Sequence, residues 1–134
     1  MDDALKPYQD YVPLLLRIAV GSVFIVAGWG KLTGIDGTAE FFGGVGIPLP
    51  VFSAWLVAIV EFFGGIMVLL GFFTRIPAIL LGIIMIVAMI TVKFEAGWGG
   101  GGLRVDFMLL LMCISLLFTG DGKASIGEAT GKTI

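Results

Sequence analysis

The chain has 134 residues, 58% hydrophobic and 13% charged, with a formal net charge of −2, one cysteine and no histidine. With a mean hydropathy of +1.09, this composition excludes an ordinary soluble domain, which leaves far more polar surface. The sequence also has no basic cluster to bind nucleic acid, no second thiol for a self-contained dithiol relay and no imidazole for a histidine-ligated haem or metal centre.

The opening, MDDALKPYQDY, is acidic where a signal peptide is basic, and the first apolar run, Val12–Trp29, offers no clean small-x-small cleavage site. The run is therefore expected to stay as a helix over residues 12–31, with Trp29 as an interfacial anchor. On that helix Arg17, Gly21, Phe24, Gly28 and Lys31 fall within about 40° of one another. Residues 31–50 read as a long glycine-rich loop: a short interfacial helix around Thr38–Phe42, broken by glycines, then a stiff proline lead into the next element.

The second apolar run predicts a helix over 51–73 and carries Glu61, with Ala54, Ala58 and Gly65 on the same face. A charge at bilayer depth is costly unless paired or solvated, which makes Glu61 a candidate functional residue. Small residues let helices approach closely in lipid, so the Arg17 and Glu61 faces are expected to meet. Counted from the Lys31 side, Glu61 lies about 15 Å deep and Arg17 about 20 Å. A guanidinium can span that offset, which predicts a bidentate Arg17–Glu61 ion pair. Such a pair offsets desolvation more than it adds stability. The pentapeptide Glu-Phe-Phe-Gly-Gly occurs at both 40–44 and 61–65, but its flanks do not match, and coincidence is the better reading.

Thr74 can cap a third helix over 75–93, with Pro77 in its first turn, and the short connection before it predicts a tight hairpin with the second helix. Glu95–Gly102 holds five glycines around Trp98. It reads either as a lid or docking surface or as a flexible connector. A fourth helix is expected over 103–119, with Arg104 snorkelling and Asp106 one turn in, where its charge suits the helix dipole. Lys31 and Lys93 are the expected partners of Asp106, and simple interfacial charge matching is a competing reading. The methionines read as packing, and Trp29, Trp55 and Trp98 as interfacial belts. Four spans put both termini on one side, and the Lys and Arg distribution favours cytoplasmic termini by four to three.

Several segments carry a family resemblance. They are Leu14–Gly21 continuing to Ala27-Gly28-Trp29-Gly30-Lys31-Leu32, Gly46-Ile47-Pro48-Leu49-Pro50, Glu61, Leu70–Arg75, and Leu116–Lys123. In these the chain resembles the DoxX family of small bacterial and archaeal membrane proteins, whose relatives include a subunit of an archaeal thiosulfate:quinone oxidoreductase. The resemblance implies an all-α integral membrane four-helix bundle in the cytoplasmic membrane, here a single domain over 1–134. Its motif points to Arg17, Lys31, Glu61 and Arg75, with Asp106 at a position that is often acidic or polar.

Two functional expectations follow. In the first, the chain is a membrane subunit of a quinone-linked oxidoreductase with no redox centre of its own. Glu61 relays a proton, Arg17, Lys31 and Asp106 bind the ligand, and quinone, lipid and neighbouring membrane subunits are the partners. In the second, it is a non-catalytic accessory subunit of a larger respiratory or photosynthetic complex, and its ion pairs fix the packing of the bundle.

Overall fold

The structure is a computed structural model that describes residues 4, 6–93, 102–120, 122 and 125–130. The described residues are helical, without strands. A 3-10 turn over Lys6–Tyr11 leads into α1, Val12–Thr33. Pro13 sits in the first turn of α1, where a missing N–H leaves no intrahelical bond unmade.

The long glycine-rich loop expected between the first two spans is instead mostly helix. Gly34 alone separates α1 from α2, which covers Ile35–Gly44. Ile35, Thr38, Ala39 and Phe42 recur at helical spacing on its inner side, and Phe42 is buried while Asp36 and Glu40 are exposed. Glycine costs a helix about 1 kcal/mol relative to alanine. Three glycines therefore mislead a reading by propensity, and packing against the next helix overrides it. Gly46, at φ +85, then turns the chain, and the Ile47 N–H donates to the Phe42 carbonyl at 3.0 Å.

The next helix, α3, spans Pro50–Leu70. It stops three residues short of the expected end, because Gly71 adopts the left-handed conformation at φ +70. The Gly71 and Phe72 N–H groups then turn back onto the Val68 and Met67 carbonyls, a termination that an apolar run does not reveal. α4 covers Arg75–Ala88 and continues as a π-helical segment, Met89–Lys93. Thr74 holds the N-cap position of α4 through its backbone carbonyl, which accepts from Ala78, while its side chain makes no capping bond. The remaining helices are α5, Gly102–Thr119, and α6, Ile126–Thr130. The glycines and Trp98 of the expected second loop, residues 95–101, lie outside the described residues.

α1 packs most extensively on α3, and α4 on α5, while contacts between α3 and α4 and between α1 and α5 join the two pairs. Their shared core includes Val20, Phe24, Val68, Leu81, Leu109 and Leu116. The outward faces are apolar as well: Val26, Phe52, Phe63 and Ile90 are all exposed. Among the described residues, Lys6–Thr33 and Pro50–Leu70 are long and apolar enough to cross a membrane, and Arg75–Thr91 is a shorter apolar helix.

The α1–α3 seam is built from glycines. A Cβ on Gly28 would lie 2.4 Å from the Phe62 backbone nitrogen, one on Gly21 2.8 Å from Leu69, and one on Gly65 2.9 Å from the Ile25 nitrogen. Only glycine allows backbones this close. These three contacts also fix one antiparallel register, in which Glu61 stands level with Trp29 while Arg17 reaches the C-terminal end of α3.

Candidate functional site

The faces predicted to meet do meet. Arg17, Gly21, Phe24 and Gly28 are buried on α1, and Ala54, Ala58, Glu61 and Gly65 are buried on α3. The predicted ion pair is different. Glu61, 2% exposed, pairs with Lys31 at 2.6 Å. Arg17, 1% exposed, donates from Nε to the Val68 carbonyl at 3.1 Å and from Nη2 to the Leu69 carbonyl at 3.2 Å.

The correction has a geometric cause. In the observed register Arg17 and Glu61 are twelve residues apart in level, about 18 Å along the axis, which no side chain spans. Counting inward from the helix ends assumes that both ends lie at the same height. They do not: α3 begins beyond the end of α1, and α2 packs on that extension. Arg17 thus serves the opposite end of the bundle, where its charge meets two carbonyls of the last turn of α3, that of Val68, which also accepts from the Gly71 N–H, and that of Leu69. Arg75 does the same for α5, donating to the Leu117 and Phe118 carbonyls at 2.8 and 3.1 Å.

Lys31 and Glu61 line a cavity of about 430 Å³ in the half of the bundle nearer the Lys31 end. Asp106, 4% exposed, lines the same cavity from α5. Three charged side chains from three helices therefore converge on one space. Its other walls are largely hydrocarbon, including Phe24, Phe42, Val57, Ile84 and Leu109, with Ser53 and Thr91 adding hydroxyls. Lys31 keeps 29% of its side chain exposed, so the ion pair links a fully buried carboxylate to the surface of the bundle. The volume falls within the range of small-molecule pockets, which are mainly apolar with a few placed polar groups.

Of the sequence candidates, the structure brings Lys31, Glu61 and Asp106 together and leaves Arg17 outside. Arg104 is exposed, and the side chain of Lys93 lies outside the described residues. Sequence reasoning missed the contributions of α2 and α4, namely Phe42, Ile84 and Thr91. Cys113 is buried in the core rather than in the cavity.

Fold and site together define an all-helical protein whose apolar exterior surrounds a cavity holding three acid–base groups. The chain belongs to the DoxX family of membrane proteins, whose family profile matches residues 12–94. It is 43% identical over 108 residues to "Putative oxidoreductase CatD" of Bacillus subtilis, covering 81% of this chain and 78% of that one. It is 34% identical over 133 residues to the inner membrane protein YqjF of Escherichia coli, covering 96% and 98%. The uncharacterized membrane protein Rv3486 of Mycobacterium tuberculosis is 34% identical over 132 residues, covering 89% and 81%. No solved structure matches.

Proposed function

We propose that the protein is a four-span subunit of a bacterial cytoplasmic-membrane oxidoreductase, and that its cavity binds a quinone beside Lys31, Glu61 and Asp106. The observation that carries this reading is the Lys31–Glu61 pair opening into an apolar cavity. A relative named as an oxidoreductase supports the reaction class.

A bound quinone supplies the redox chemistry, accepting two electrons and two protons, and the electrons come from a redox centre on a partner subunit. The residues of this chain handle binding and protons. The Lys31 ammonium donates a hydrogen bond to the ligand oxygen and polarises its carbonyl. Glu61, a carboxylate in its pair with Lys31, takes up a proton by way of Lys31, which reaches the surface, and passes it to the ligand oxygen. Asp106 provides a second acidic group on the facing wall. The apolar walls keep water from competing for these bonds.

The competing reading, a purely structural accessory subunit, draws on the same pair, because Lys31–Glu61 joins α1 to α3 across their seam. Two substitutions in the complex purified from membranes separate the readings. Glu61→Gln should leave quinone affinity within about threefold of wild type and cut quinone-dependent turnover by about tenfold or more. Lys31→Met should weaken quinone binding by about tenfold. Unchanged turnover in Glu61→Gln sinks the proton role, and a stable complex with no quinone on this chain favours the accessory role.

A further inference from the structure

The cavity is enclosed unevenly. α3 and α4 are joined by only four residues, Gly71–Thr74, and they converge at that end, where a Cβ on Gly64 would lie 3.5 Å from Pro77 and 3.6 Å from Leu81. Even so, α3 contacts α1 far more extensively than it contacts α4. Toward the Lys31 end the cavity occupies the space between α3 and α4, with Leu56 and Val57 on one bank and Ile83, Val87 and Thr91 on the other.

Four of these residues belong to both the cavity and the exterior. Leu56, Ile83 and Val87 are 51%, 52% and 45% exposed and also line the cavity. These three are aliphatic, the fourth, Thr91, turns its hydroxyl onto the Val87 carbonyl at 2.7 Å, and the helix faces around them are apolar too, with Ile59, Ile79 and Ile86 exposed. The α1–α3 seam, by contrast, is closed by backbone contact at Gly28 and Gly21. At the Lys31 end of the α4 bank the helix loosens into the π-helical segment Met89–Lys93, a local widening often found where helices line functional sites. Residues of the α3–α4 seam therefore belong both to the apolar exterior and to the cavity that holds the Lys31–Glu61 pair.

We infer that the cavity takes its ligand sideways from the bilayer through the α3–α4 seam, and that the ligand is a single-chain amphiphile. Its tail lies between Leu56 and Val87, and its oxygen-bearing head meets Lys31 and Glu61. The inference rests on the cavity being a ligand site and does not require the head to be a quinone. A tail that stays among aliphatic side chains never leaves an apolar medium, so the protein need only capture the head.

Two probes test this in the protein reconstituted in nanodiscs: a benzoquinone bearing a ten-carbon tail with a mid-chain diazirine, and the same ring without a tail. Photolysis should label the peptides containing Leu56 and Ile83–Val87. Ile83→Trp, which fills the seam, should weaken binding of the tailed probe by about tenfold and change that of the bare ring by less than about twofold. Ile79→Trp, on the same helix but away from the cavity, should behave as wild type. Labelling confined to outward positions such as Ile59 and Ile79, or equal loss of both probes in Ile83→Trp, overturns the inference. If wild type binds neither probe, the quinone reading fails separately. A diazirine fatty acid of the same chain length then decides the seam: labelling at Leu56 and Val87 supports the lateral path, and its absence there refutes it.

Discussion

At the scale of single residues, the two buried charges on the α1–α3 seam do different work. Arg17 completes the end of α3, and Glu61 with Lys31 equips a cavity. Removing the Arg17 guanidinium leaves the Val68 and Leu69 carbonyls without two charge-assisted donors, each contributing about 1.5–3 kcal/mol. Arg17→Met should therefore lower unfolding stability by about 3 kcal/mol in detergent micelles, and Arg17→Lys should fall between it and wild type because an ammonium lacks the planar fork. Quinone affinity should stay near that of wild type in both, since Arg17 lies outside the cavity. Which residues face inward was legible from helical phase alone, and every seam position named from the sequence is buried except Lys31, which keeps 29% of its side chain exposed. Which charges touch was not, because phase gives an angle around a helix and carries no information on axial offset. The repeated pentapeptide shows the same limit: Glu40 is exposed on α2 while Glu61, in identical local sequence, is buried on α3.

At the scale of elements, the glycine seam sets the height at which Lys31 meets Glu61. In Gly28→Ala the new methyl would meet Phe62 backbone within 2.4 Å, and two helix backbones cannot give way as a side-chain tip can. The expected cost is about 2 kcal/mol, within the usual range for overpacking, with weaker quinone binding as Lys31 and Glu61 separate. Gly30→Ala meets open space and should leave binding unchanged and stability unchanged or up to about 1 kcal/mol higher, because alanine favours the helix, which makes it the matched control. A thermal unfolding series with a binding titration on each variant reads both outcomes. The helical runs themselves were legible as apolar stretches. The helicity of residues 35–44 was hidden by its glycines, because α2 owes its fold to the α3 extension beneath it rather than to its own propensity.

At the scale of the whole molecule, the end opposite the cavity is closed by the chain's own C-terminal segment. The Gly127 N–H donates to the Gly71 carbonyl at 2.9 Å, and a Cβ on Gly71 would run into Ser125 and the Arg17 guanidinium. Deleting residues 125–134 should speed hydrogen exchange at the α3–α4 turn and lower the unfolding midpoint, while leaving quinone affinity unaffected; equal exchange at Gly71–Thr74 in both proteins refutes the closure. The Arg17 contact also bears on how the protein is made. Its acceptors lie 51 and 52 residues further along the chain. When α1 leaves the ribosome it carries a cation whose carbonyl partners have not yet been synthesised. α1 must therefore wait at the membrane interface, or among other polar groups, until α3 arrives, and an earlier helix settles only with the help of a later one.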